Sequence, residues 1–136
     1  MPVRIKWRGR RYKQQLRARA ETAMKRAGVY LNGETRKAIS RSQPYVIKNG
    51  RYRGLAPSAP GEPPKRLSGT LFKSINDRVI ATAKDVRARI GAFTPYSRAL
   101  ELGAPKRGLA PRPYLSSTLS KFGKSALAIF AKGLRR

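Results

Sequence analysis

Apolar residues recur along the first third of the chain at spacings of three and four. Leu16, Ala20, Ala23, Ala27, Leu31, Thr35 and Ala38 form one stripe, widened by Met24, Tyr30 and Ile39. That is the period of an α-helix with one buried face, and it predicts a helix from about residue 10 to residue 42. The other faces carry Arg17, Arg19, Lys25, Arg26, Arg36, Lys37 and Arg41. Gly28 and Gly33 interrupt the pattern, and each weakens a helix by up to about 1 kcal/mol. A bend or a close helix contact is expected there. Gln43-Pro44 supplies the stop, because a residue before proline is pushed out of the α region.

Elsewhere the period changes. Before the helix, Val3, Ile5 and Trp7 alternate with Arg4, Lys6 and Arg8, which predicts a short strand or an extended arm over residues 1–9. Trp7 among these cations either stacks on a nucleobase or anchors the arm on a protein surface. Residues 44–65 hold Pro44, Pro57, Pro60, Pro63 and Pro64 with Gly50, Gly54 and Gly61. So long a loop is usually functional or mobile. With Lys48, Arg51, Tyr52 and Arg53 along it, it reads as an arm that orders against a neighbouring chain; a plain flexible loop is the alternative.

Leu67, Leu71 and Ile75 are spaced for a short helix. Val79–Ala83 and Val86–Phe93 read as strands joined by a turn at Lys84-Asp85. In the second strand Val86, Ala88, Ile90 and Ala92 alternate with Arg87 and Arg89, which gives a half-buried strand with a cationic outer face. Pro95 to Leu102 is a helical turn ended by Gly103. A second loop covers residues 104–111, after which Pro113 can be the first residue of a final helix. Its stripe is Leu115, Leu119, Phe122, Ala126, Ile129 and Gly133, and Lys132, Arg135 and Arg136 complement its negative end. The fold class is α+β: a long N-terminal helix, a Pro-rich arm, a small antiparallel sheet and a C-terminal helix packed on it. Residues 1–136 form a single domain in this reading.

Composition narrows the function. The hydrophobic fraction is 40%, but 17 of those residues are alanine and only 28 are Leu, Ile, Val or Phe. The core is therefore thin, and neighbours are expected to add to it. Thirty-two cations against 6 acids give a net charge of +26, which selects polyanionic or acidic partners. The absence of Cys and His excludes disulfide frameworks, His-containing triads and His-ligated metals. The acids Glu21, Glu34, Glu62, Asp77, Asp85 and Glu101 are scattered, with no spacing suited to metal binding or glycoside hydrolysis. An enzyme is not expected, nor is any cofactor. No apolar run approaches the roughly 20 residues of a membrane span. The helix stripe is too rich in alanine for a membrane-surface helix, so no membrane partner is expected.

Three segments of the second half carry a more specific signal. The first is Pro60-Gly61-Glu62-Pro63-Pro64, followed by Arg66-Leu67-Ser68-Gly69-Thr70-Leu71-Phe72-Lys73-Ser74-Ile75. The second is Ile90-Gly91, then Pro95-Tyr96-Ser97-Arg98-Ala99-Leu100-Glu101-Leu102-Gly103. The third is Ala110-Pro111-Arg112-Pro113-Tyr114-Leu115. In this order they resemble the neck or tail-completion (head–tail joining) proteins of long-tailed bacteriophages. Members of that family look like Pro-Gly-x-Pro-Pro, then Thr-Gly-x-Leu-x-x-Ser-Ile, then Glu-Phe-Gly-Thr, then Pro-Arg-Pro-Phe-Leu. Here Ser68 stands for the Thr, and Leu102-Gly103-Ala104 stands for Phe-Gly-Thr. The resemblance covers about residues 57–120.

It implies a structural virion protein that joins the head connector to the tail as part of a multi-copy ring. Its partners would be copies of itself, neighbouring connector and tail proteins and, as a further candidate, packaged DNA. Its place would be the neck or tail of the virion, and the host cytoplasm during assembly. The alternative, favoured by charge alone, is a small basic architectural nucleic-acid-binding protein. Candidate contacts to a partner or to DNA are Arg4, Lys6, Arg8, Lys48, Arg51, Tyr52, Arg53 and Arg112. Candidate structural positions are Gly61, Pro63, Pro64, Ser68, Gly69, Glu101, Gly103, Pro111 and Pro113. Within this set, Ser68 is placed to cap the short helix. Glu101 is expected to pair with Arg112 across the 103–111 loop and fix the last helix against the sheet.

Overall fold

The computed structural model describes residues 9–40, 58–66, 69–82 and 84–135. The long helix α1 runs Gly9–Ser40. The single turn α2, Thr70–Ser74, leads directly into β1, Ile75–Ala81, which pairs antiparallel with β2, Val86–Ala92. A short helix α3, Ser97–Leu102, a 3-10 turn, Pro105–Arg107, and the helix α4, Leu115–Arg135, complete the chain. The α+β architecture is as the pattern predicts.

α1 organises the rest because its buried stripe is built of small residues. Ala23, Ala27, Gly28 and Thr35 are buried along it, with Ile39 near its end. On one side α4 runs antiparallel to it. Tyr30 meets Phe122 edge to face, with ring centroids 6.4 Å apart. At Gly133 an added Cβ would stand 2.6 Å from the Cβ of Ala23, so the two backbones can approach only because that position is glycine. On another side α1 carries the hairpin. A Cβ at Gly28 would meet Asp77 Oδ2 at 3.5 Å and Ala88 Cβ at 3.7 Å. The close helix contact expected at Gly28 or Gly33 is found instead at Gly133: Gly28 meets the hairpin at ordinary packing distance, and Gly33 faces open space. Residues 10–19 are all exposed, and Lys13, Gln14, Leu16 and Arg17 border an open hollow shared with Thr82, Lys84, Asp85 and Phe130.

The hairpin begins earlier than the pattern predicts. Ile75 completes the Leu67–Leu71–Ile75 spacing and reads as helix, yet it is the first strand residue, with φ −69° and ψ 120°. Ser74 Oγ donates to Leu71 O at 2.8 Å and closes the preceding turn. Asn76 and Asp77 are poor strand formers. Pairing with Gly91 and Ile90 overrides that preference, as does the Asn32 Nδ2 donation to Asp77 Oδ1 at 2.5 Å. The turn falls where expected. Thr82 N donates to Asp85 O at 2.8 Å and Thr82 Oγ1 to Asp85 Oδ1 at 2.6 Å.

The core proper is small: Ile39, Leu71, Ile75 and Tyr114 are buried, with Ile90, Ala92, Leu100 and Leu115 packed around them. Arg36 locks its margin, donating from Nη2 to Ile75 O at 2.7 Å while its guanidinium lies 5.4 Å from the Phe72 ring centre. Arg66 lies over the same ring at 4.5 Å. Among the described residues, no helix is long and apolar enough to cross a membrane.

Candidate functional site

The sequence motifs converge on the start of α4. That helix has no acid in its first turn, and Tyr114 before it offers no short side-chain cap. Its orphan amides are taken by Glu101 from α3. Tyr114 N and Leu115 N donate to Glu101 Oε2 at 2.8 and 3.0 Å, and Ser116 N donates to Oε1 at 2.8 Å. The Ser116 hydroxyl adds a bond to Oε1 at 2.6 Å. One carboxylate thus satisfies three helix N-terminal amides at the positive end of the helix dipole. Burial pushes the Glu101 carboxyl up, but the bonds from the Ser116 hydroxyl and the three amides outweigh it and hold it below the ordinary glutamate range.

This corrects the expected Glu101–Arg112 pair. Arg112 turns the other way: its Nε donates to Ser58 O at 3.1 Å, and its backbone N donates to Leu100 O at 2.7 Å. The carboxylate is already engaged by amides, so Glu101 fixes the last helix by capping it and not by an ion pair. Pro113 is likewise not the first helical residue. It lies two positions before Leu115, and its carbonyl accepts from Ser117 Oγ at 2.9 Å.

The remaining motif residues complete the junction. Gly61 N donates to Pro111 O at 2.9 Å, which ties the Pro-Gly segment to the Pro-Arg-Pro segment. Pro64 is buried and Pro63 half-buried, so this end of the 44–65 stretch is docked on the body and is not a free loop. Gly103 has φ 78°, and a Cβ there would lie 3.0 Å from Pro111 N and 3.1 Å from Leu109 O. Between them the 104–111 loop is ordered by Ala104 N donating to Leu109 O at 2.8 Å and by the reverse bond at 3.2 Å. Tyr114 is 0% exposed. Its hydroxyl is pushed up to about 12 by burial and by the Glu101 charge, against the opposing effect of a hydrogen bond with Ser97.

At the short helix the cap position is Gly69, which has no side chain to offer, and not Ser68. Ser68 itself lies outside the described residues, as do Arg4, Lys6, Arg8, Lys48, Arg51, Tyr52 and Arg53. Of the proposed contact residues only Arg112 is placed, and it serves the junction.

A second region was not read from the sequence. An apolar trough of about 580 Å³ lies between α1, β2 and α4. Met24, Gly28 and Leu31 form its floor, Ala88 and Ile90 one wall, and the α4 residues from Leu115 to Phe130 the other, with Glu101 at the end nearest the cap. Leu119 and Leu127 are 60% and 65% exposed, although Leu119 belongs to the predicted buried stripe. The signal available was Leu127 itself, a large apolar residue just off that stripe. No protein-family model, curated protein or solved structure matches this chain.

Proposed function

We propose that this chain is a non-enzymatic structural protein of the neck or tail-completion region of a long-tailed phage, acting in several copies between head connector and tail. The observation that carries the reading is the convergence of its three motifs. Segments separated by up to 54 residues meet at one junction, through Gly61 to Pro111, Arg112 to Ser58 and Leu100, and Glu101 to the start of α4. A shared structural role for these motifs is what the family resemblance implies.

The placement of charge supports an assembly component over a groove-reading nucleic-acid binder. Exposed cations lie on every side: Arg10 and Lys13 on α1, Arg87 and Arg89 on β2, Lys106 and Arg107 on the 3-10 turn, Lys121 and Lys124 on α4. A single basic face would favour nucleic acid. In the assembly, the thin core gains burial from neighbours, and the positive surface is neutralised by acidic proteins. Immunogold labelling of purified virions tests this. Gold at the head–tail junction is expected; gold confined to the capsid shell, the tail tip or unassembled protein overturns the reading.

A further inference from the structure

The hairpin has two outer edges, and they differ. Phe93 N donates to Ser74 O, and Thr82 N to Asp85 O, just beyond the two ends of the ladder. Hydrogen-bonded pairs alternate along an antiparallel ladder, so the bonded pairs between these ends are Asn76/Gly91, Arg78/Arg89 and Ile80/Arg87. The backbone groups of Val86, Ala88 and Ile90 therefore point away from β1. Along the β1 edge, side chains cover only the end near α2: Arg36 donates to Ile75 O at 2.7 Å and Asn76 Oδ1 accepts from Asp77 N at 2.9 Å, while Val79 and Ala81 stay open but do not line the trough. Along the outer edge of β2, among the described residues, only Ala92 O is taken, by Ser97 Oγ at 3.0 Å. Among the described residues no third strand pairs with β2.

This free edge borders the trough. Ala88 and Ile90 are its wall, so a strand laid beside β2 would place alternate side chains into an apolar space. The intervening side chains would lie beside Arg87 and Arg89, which are exposed on the opposite face of the hairpin. There Arg78 stands directly opposite Arg89, an unfavourable like-charge pair, and among the described residues neither meets an acid.

We propose that the free edge of β2 receives, as a third strand, an extended segment of a partner protein in which acidic and apolar residues alternate. Each part of the site selects one property of that segment. The unpaired amides and carbonyls select an extended backbone. The trough selects apolar side chains at every second position. Arg89 selects a carboxylate between them, whereas Arg87 is already held by Asp85, its Nε donating to Oδ2 at 2.6 Å. The chain's own residues 3–8 have the right period but the wrong sign, because Arg4, Lys6 and Arg8 would be set beside Arg87 and Arg89. A second copy, at net +26, is disfavoured for the same reason. The inference rests on the edge, the trough and the arginine beside them, and holds whether or not the protein sits in a phage neck.

The test uses the full chain and labelled octapeptides in fluorescence anisotropy at physiological salt. The probe alternates Glu with Val, Ile and Leu. An isomer of equal composition has its Glu residues grouped at one end, so non-specific attraction to so basic a protein is the same for both. The alternating probe is expected to bind at least about tenfold tighter, as several strand hydrogen bonds of modest net strength imply. N-methylation at one set of alternate amides should abolish that advantage, and methylation at the other set should leave it. Arg89→Gln should reduce the preference several-fold. Equal binding of the two isomers, or indifference to both methylation patterns, overturns the proposal. So does tighter binding of an octapeptide with the sequence of residues 1–8, which would assign the edge to the chain's own arm.

Discussion

Two regions flank α4, and they are built on opposite plans. At its start, the junction of α3 with the Pro-Arg-Pro segment holds the helix amides by specific bonds and encloses Tyr114 completely. Along its length, the trough beside β2 leaves leucines more than half exposed and a strand edge unpaired. The thin supply of large apolar residues explains the division. It is enough to close one end of the molecule, and that end is reinforced by hydrogen bonds. Beyond the cap, along the body of α4, the core remains unfinished, and Glu101 and Leu115 border both regions. Stability therefore resides in the junction, and the capacity to take a neighbour resides in the trough.

Substitutions can break this contrast. The largest effect is expected at Glu101. Glu101→Ala orphans three helix amides and should lower stability by about 3 kcal/mol. Glu101→Gln keeps one acceptor oxygen and should lose about half of that. Glu62→Gln should cost less than about 0.5 kcal/mol, because exposed Glu62 accepts a single long bond from Ala59 N, at 3.3 Å. Urea unfolding of the three variants decides; equal midpoints for Glu101→Gln and Glu62→Gln would remove the capping role. Next comes Gly103→Ala, expected to cost about 2 kcal/mol through its positive φ and the contact with Pro111. Gly108→Ala shares the positive φ but has open space around it, so it should cost about half as much. Equal losses would show that the close approach is unimportant.

The pH dependence sharpens the comparison further. Glu101 is held below its ordinary range, so its contribution is present above the unfolded value of about 4.3 and is lost as pH falls through the lower folded value. Tyr114 is raised to about 12. Its contribution is complete below the unfolded value of about 10 and is lost as pH rises towards the folded one. Thermal melts across pH should lose stability at both extremes, and Tyr114→Phe should remove the alkaline limb. The smallest effect is expected in the trough. Leu119→Gln and Leu127→Gln should shift the stability of the free chain by no more than about 0.5 kcal/mol, yet weaken binding of the alternating octapeptide. A loss of stability comparable to that of Glu101→Ala would mean that the trough is closed in solution.

How legible each region is in the sequence follows from its chemistry. α1 was legible because its stripe persists for many turns, and β2 because apolar and arginine residues alternate strictly. The start of β1 was not, since Ile75 fits the helical spacing of Leu67 and Leu71 and only pairing with Ala92 makes it a strand. Glu101 was legible as important, being the only acid after Asp85, but its partner was misread. The signal was the absence of a Ser, Thr, Asp or Asn cap at Tyr114, which leaves amides in need of an acceptor from elsewhere. The trough was not legible at all. Helical periodicity marks Leu119 as core, and nothing in a sequence states that two walls stand too far apart to close over a residue.

The exposed, basic start of α1 has a consequence for any crowded arrangement of this protein. Residues 10–19 form a helical rod about 15 Å long; one side faces Thr82, Asp85 and Phe130 across a hollow, and the rod carries Arg10, Arg11, Lys13, Arg17 and Arg19, of which Arg17 meets Glu21. Two such rods side by side feel each other across roughly 8 Å at physiological ionic strength. They therefore act as fenders: spacing on that side is set by the surrounding electrolyte and not by touching surfaces, and it tightens as salt is added.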